Sequence, residues 1–138
     1  DPRIRAAIVI SAPPFYGRGN LQAILAPVRL PILHITATGD EILIPGYHSR
    51  PEDRIAVFEA TGSPHKTLAV FKDGSHSMFT DRLNTGGAEW NPQVKVATRE
   101  LVLAFLRELE QPAAAAGAPV RQWNLAHGAK LARLDVVR

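Results

Sequence analysis

The chain has 138 residues, 46% of them apolar, which is enough to bury one modest core and favours a single domain. It has no cysteine, which excludes a disulfide framework, a thiolate metal site and a cysteine nucleophile. The 16 basic and 13 acidic residues leave a net charge of +3, but they are interleaved along the chain. That pattern reads as solvated surface and not as the clustered basic stripe that nucleic acid requires.

No apolar run reaches the length of a membrane span, and no basic-then-apolar leader opens the chain. The first residue is Asp1 and an apolar strand follows almost at once, so the natural N-terminus is expected to lie upstream. This leaves the compartment open.

Ile4 to Ala12 is an apolar, β-branched run closed by Pro13-Pro14, and predicts a buried strand followed by a loop. A short helix with Leu21, Ile24 and Leu25 on one face should follow. Leu30 to Thr38 gives a second near-continuous apolar run, ended by Gly39-Asp40. Strands apolar on both faces suit a parallel sheet covered by helices. After the loop "EILIPGYHS", Pro51 fits the first turn of a helix whose Ile55 and Phe58 share a face, and Gly62-Ser63-Pro64 ends it.

"KTLAVF" predicts a third strand and "KDGSHS" the loop after it. Asn91-Pro92 reads as a cap and first residue of a helix with Val94, Ala97, Leu101, Ala104 and Phe105 as its apolar stripe. "QPAAAAGAP" is expected as a Pro/Ala linker over 111–120. A last helix is expected within 121–138, with Trp123, His127, Leu131 and Leu134 near one face. The alternation of strand and helix argues an α/β fold with three parallel strands, right-handed crossover helices and C-terminal helices.

In open parallel α/β sheets, functional groups gather at the carboxyl ends of the strands. Asp40 follows the second strand and His76 lies just after the third. From adjacent strand ends an aspartate would reach the imidazole Nδ1–H, fix the tautomer and stabilise the imidazolium formed when Nε2 takes a proton. His34, inside an apolar strand, reads as a hydrogen-bonded core residue, and the remaining histidines lack the partner spacing of metal ligands. Glu41 and Asp73 are rival acids, with Glu41 pointing away and Asp73 too close in sequence to approach the ring well. Phe15, Tyr16 and Phe79 lie near this edge, where they either line an acyl pocket or pack under loops. Asp81 and Arg82 suit an ion pair or a helix cap.

With "PILHITATGDEILIP" and "KTLAVFKDGSHSMF" in view, the chain resembles the C-terminal half of an α/β-hydrolase, in the dienelactone-hydrolase-like branch of serine esterases. The resemblance covers roughly residues 2–110, which it makes the C-terminal part of an α/β-hydrolase domain. It implies Asp40 as the triad acid and His76 as the base, in the family's order of serine, acid, histidine. One departure is Ala37, where the family often has glycine.

Ser77 looks at first like the centre of a G-x-S-x-G nucleophile turn. That turn needs small residues two places either side of the serine, and Ser77 has Ser75 and Phe79. It also adjoins the histidine that should serve it, so His76 is read as the base and Ser77 as loop structure. Ser11, Ser49 and Ser63 lack the flanking glycines too. The resemblance therefore implies a nucleophile upstream of Ile4, a small-molecule ester as substrate and no metal or organic cofactor. It also implies the missing N-terminal half of the same domain as partner, and a chain inactive by itself. The alternative is a non-catalytic α/β binding or interaction module derived from a hydrolase. A dinucleotide site is disfavoured because no G-x-G-x-x-G follows a strand.

Overall fold

The computed structural model describes residues 1–12, 19–80, 87–110 and 117–138. Its centre is a four-stranded sheet of β1 (Ala7–Ile10), β2 (Ile32–Gly39), β5 (Lys66–Ser75) and β6 (Leu131–Val137), in the order β1-β2-β5-β6. β1, β2 and β5 are parallel, and β6 returns antiparallel along β5. The short helix α1 (Leu21–Leu25) follows β1, and α2 (Pro51–Ala60) joins β2 to β5. Between Asp40 and α2 the chain forms a hairpin of β3 (Ile42–Ile44) and β4 (Tyr47–Ser49). Two more helices, α3 (Trp90–Glu108) and α4 (Ala118–His127), precede β6.

The α/β class and the three parallel strands are as expected from the apolar runs. β2 is buried from Ile32 to Ala37, which is the burial a central parallel strand should have. On one face the core joins Leu33, Ile35, Ala69 and Phe71 of the sheet to Val94, Ala97, Leu101 and Phe105 of α3. A smaller cluster of Phe58, Leu68 and Val70 lies under α2.

The C-terminal segment differs from expectation. Residues 121–138 are not one helix: α4 stops at His127, and Leu131–Val137 forms β6. Gly128 ends the helical run, and the β-branched Val136 and Val137 favour an extended edge strand. The spacing of Leu131 and Leu134 read as helical, yet both pack against the core from a strand with a register shift beside Phe71. Such an edge is protected by charge, here the Arg133–Asp135 pair. The linker also needs correction, because 118–120 already belong to α4 and Val120 is fully buried. Residues 111–116 lie outside the described residues. α4 is held to α3 by the Trp123 indole N–H, which donates to the Ala97 carbonyl at 2.9 Å.

Two further differences bear on the site. The "EILIPGYHS" loop is the β3–β4 hairpin, turned at Gly46 with φ +77°. β5 runs on to Ser75, so His76 follows directly from a strand and opens a 3-10 turn, His76–Phe79.

Candidate active site

The carboxyl ends of β1, β2 and β5 lie side by side, and each delivers one polar side chain to the same point. Ser11 follows β1, Asp40 follows β2 and His76 follows β5. Glycine makes the approach of the last two possible. A Cβ on Gly39 would sit 2.7 Å from the Gly74 carbonyl oxygen, and Gly74 itself has φ +110°. The fully buried Met78 packs against Gly74.

Asp40 is fully buried, and its carboxylate is surrounded by donors. Oδ1 faces His76 Nδ1 at 2.9 Å, accepts from the Ser11 hydroxyl at 2.8 Å and lies 3.2 Å from Arg54 Nε. Oδ2 accepts from the Thr36 hydroxyl at 2.7 Å. A buried carboxylate is tolerated only when paired and hydrogen-bonded, and here both conditions hold. The cation is Arg54 of α2, itself buried, which also donates from Nη1 to Ser49 Oγ at 2.7 Å and to the Arg50 carbonyl at 3.0 Å.

Ser11 Oγ lies 2.6 Å from His76 Nδ1. The hydroxyl donates to Asp40, so toward the ring it accepts, as Asp40 does. Two acceptors at Nδ1 select the Nδ1–H tautomer and leave Nε2 with the lone pair. The His76 side chain is 41% exposed, whereas Asp40 is sealed. The ring thus has its inner nitrogen engaged while the side chain as a whole stays partly exposed.

No protein-family model matches the chain, and no curated protein matches it in sequence.

Of the residues singled out from the sequence, Asp40 and His76 are brought together directly. The rival acids are elsewhere: Glu41 faces His48 Nε2 at 3.0 Å, and Asp73 is exposed with its backbone N–H bonded to Thr38. Ser77 sits within the 3-10 turn, where its carbonyl accepts from the Thr80 backbone and hydroxyl. Phe79 ends that turn, meets Phe71 edge to face at 6.2 Å and forms one wall of a cleft of about 320 Å³ with Ile10, Thr98, Val102 and Leu103. Phe15, Tyr16, Asp81 and Arg82 lie outside the described residues. Among the described residues no group of three or more His, Asp or Glu is arranged to hold a metal ion, and no helix is long and apolar enough to cross a membrane.

His34 is buried, as a core residue should be, but its Nε2 has no hydrogen-bond partner among the described residues. Its ring meets Phe58 edge to face at 5.5 Å. Burial, and then the charge of Lys66, lowers its pKa to about 4. It belongs to the core beneath the site and not to the site.

Sequence reasoning missed Ser11, Thr36, Ser49 and Arg54. Ser11 carried a usable signal, since it ends the first strand just as Asp40 ends the second. It was weighed only as a nucleophile. Arg54 carried another, because it sits on the helix face that buries Val57 and Phe58, where an arginine needs a buried anion.

Proposed function

We propose that this chain supplies the acid and base of a serine hydrolase acting on carboxylic esters, with the nucleophile on an upstream segment of the same α/β-hydrolase-like domain. The observation that carries the reading is the 2.9 Å approach of Asp40 Oδ1 to His76 Nδ1 from adjacent strand ends, with the His76 side chain partly exposed. Ser11 does not fill the missing role, because its hydroxyl meets Nδ1 and is committed to Asp40.

In this reading the serine Oγ–H gives its proton to His76 Nε2 as the oxygen attacks the ester carbonyl. Asp40 stabilises the imidazolium through Nδ1–H without itself taking the proton. His76 then protonates the leaving alkoxide, and afterwards takes a proton from the water that attacks the acyl-enzyme. As the second adduct collapses, His76 returns that proton to the serine oxygen, whose bond to the acyl carbon breaks, so the carboxylic acid is freed and the neutral base is restored.

Among the described residues the edge of β1 away from β2 is unpaired, and it offers a place for the nucleophile-bearing strand. Beside it Ile8 and Ile10 of β1 and Leu103 and Leu106 of α3 are exposed, an apolar surface suited to further packing. The same surface favours the second reading, an interaction module that keeps the fold without the chemistry.

Mutation of the chain joined to its upstream segment separates the two. His76→Ala should remove nearly all ester hydrolysis with the circular dichroism spectrum unchanged. Asp40→Asn should cost about 10³–10⁴-fold by disturbing the tautomer. Full activity in His76→Ala would overturn the assignment of the base, and no hydrolysis of any activated ester by the joined protein would leave the interaction module standing.

A further inference from the structure

The acid and the base are not alone: the Asp40 carboxylate has two positive partners, one permanent and one conditional. Arg54 Nε lies 3.2 Å from Oδ1 and is buried with it. His76 approaches the same oxygen at 2.9 Å and is charged only when protonated. A carboxylate with no exposed surface is costly unless it is both paired and hydrogen-bonded. If Arg54 were absent, the cation available at Oδ1 would be the imidazolium of His76. A ring held as imidazolium has no lone pair at Nε2 and cannot accept a proton from a nucleophile.

We propose that Arg54 is a positioning residue that compensates Asp40 permanently, so that His76 rests neutral, in the Nδ1–H tautomer, with Nε2 ready to accept a proton. The inference rests on the acid–base reading of Asp40 and His76. Three observations carry it. The guanidinium reaches Asp40 on the same oxygen as the ring, so the two cations act on one charge. Arg54 is fixed by Ser49 Oγ and the Arg50 carbonyl, bonds that hold its Nε toward Asp40 whatever the state of the ring. Ser11 Oγ stands between them, 2.6 Å from Nδ1 and 3.5 Å from Arg54 Nε, and links the guanidinium to the imidazole.

Among the described residues, other charged groups on the surrounding elements do not share this role. On β5, Lys72 bonds the Ala129 carbonyl and Asp73 is exposed. On α3, which packs against the 3-10 turn, Lys95 and Arg99 line the cleft beside Phe79. On the hairpin, Glu41 is paired with His48.

Diethylpyrocarbonate tests the proposal on the chain itself, because it acylates neutral imidazole and not imidazolium, and peptide mass mapping resolves His76 from the other histidines. In Arg54→Met the pH at which His76 modification reaches half its limiting rate should rise by at least one unit, with a matching loss of rate at neutral pH. Arg54→Lys should largely restore the original profile. The double variant Arg54→Met/Asp40→Asn removes both buried charges, and its profile should return to that of the unaltered chain or below it. An unshifted profile in folded Arg54→Met would overturn the proposal. If Arg54→Met fails to fold, the double variant decides: folding of the double variant is the expected result, and its failure would make Arg54 a packing residue and overturn the proposal. The probe reads the ring and not ester turnover, so a chain that hydrolyses no ester but shows the shift leaves the role of Arg54 intact.

Discussion

Ser11 and His76 meet at the wrong nitrogen for nucleophilic catalysis. Ser11 Oγ is 2.6 Å from Nδ1, the nitrogen that Asp40 also faces, while a serine nucleophile must give its proton to Nε2. The serine is held there by an unusual backbone, with φ +54°, and by an N–H that continues the β1–β2 ladder to the Ile35 carbonyl at 2.8 Å. A non-glycine residue in that region is strained, and the strain aims the hydroxyl into the space between acid, base and Arg54.

Ser11→Ala is therefore expected to be mild for chemistry and moderate for stability. It removes one donor to a buried carboxylate, worth about 1–3 kcal/mol. Ester hydrolysis by the protein joined to its upstream segment should fall by less than about a hundredfold. Complete loss of turnover in a folded Ser11→Ala variant would instead make Ser11 the nucleophile.

The positions of Asp40 and His76 were legible because the rule that finds them is topological. Two apolar runs predict neighbouring parallel strands, and parallel strands bring their carboxyl ends to one edge. Ser11 was legible by the same rule, but a search for a nucleophile turn discards any serine without its glycines. Arg54 was legible only as far as its burial, since a helix face shared with Val57 and Phe58 marks a residue as buried without naming the anion that justifies it. β6 was hidden for another reason. Leu131 and Leu134 fit a helical repeat as well as a strand with a register shift, and only pairing with β5 decides between them.

Burial of His34 gives the fold a specific acid sensitivity. Its pKa is about 4 in the folded chain against 6.5 for an exposed histidine, so between these values the unfolded chain binds the additional proton. The stability linked to His34 is complete above about pH 6.5 and is lost as pH falls toward 4, by roughly 3 kcal/mol in all. His34→Leu should flatten the fall in urea midpoint between neutral and mildly acidic pH. Equal slopes for the two chains would contradict this assignment.

The open edge of β1 should make the isolated chain associate with itself. Ile8 and Ile10 are 39% and 43% exposed beside strand backbone that is unpaired among the described residues, a combination that templates pairing with a second strand. Sedimentation velocity should show a mean mass rising with concentration, and Ile10→Lys should return the chain to monomer. A monomer at all concentrations, unaffected by Ile10→Lys, would count against this edge as a packing surface.

The central claim is that Asp40 and His76 activate a serine lying outside these 138 residues. Labelling with a serine-directed fluorophosphonate, located by peptide mass mapping, tests it most directly. The account predicts no stoichiometric labelling of the isolated chain, and labelling at one upstream serine when the preceding segment is joined or added, abolished by His76→Ala. Stoichiometric labelling of the isolated chain at Ser11 or Ser77 would contradict it.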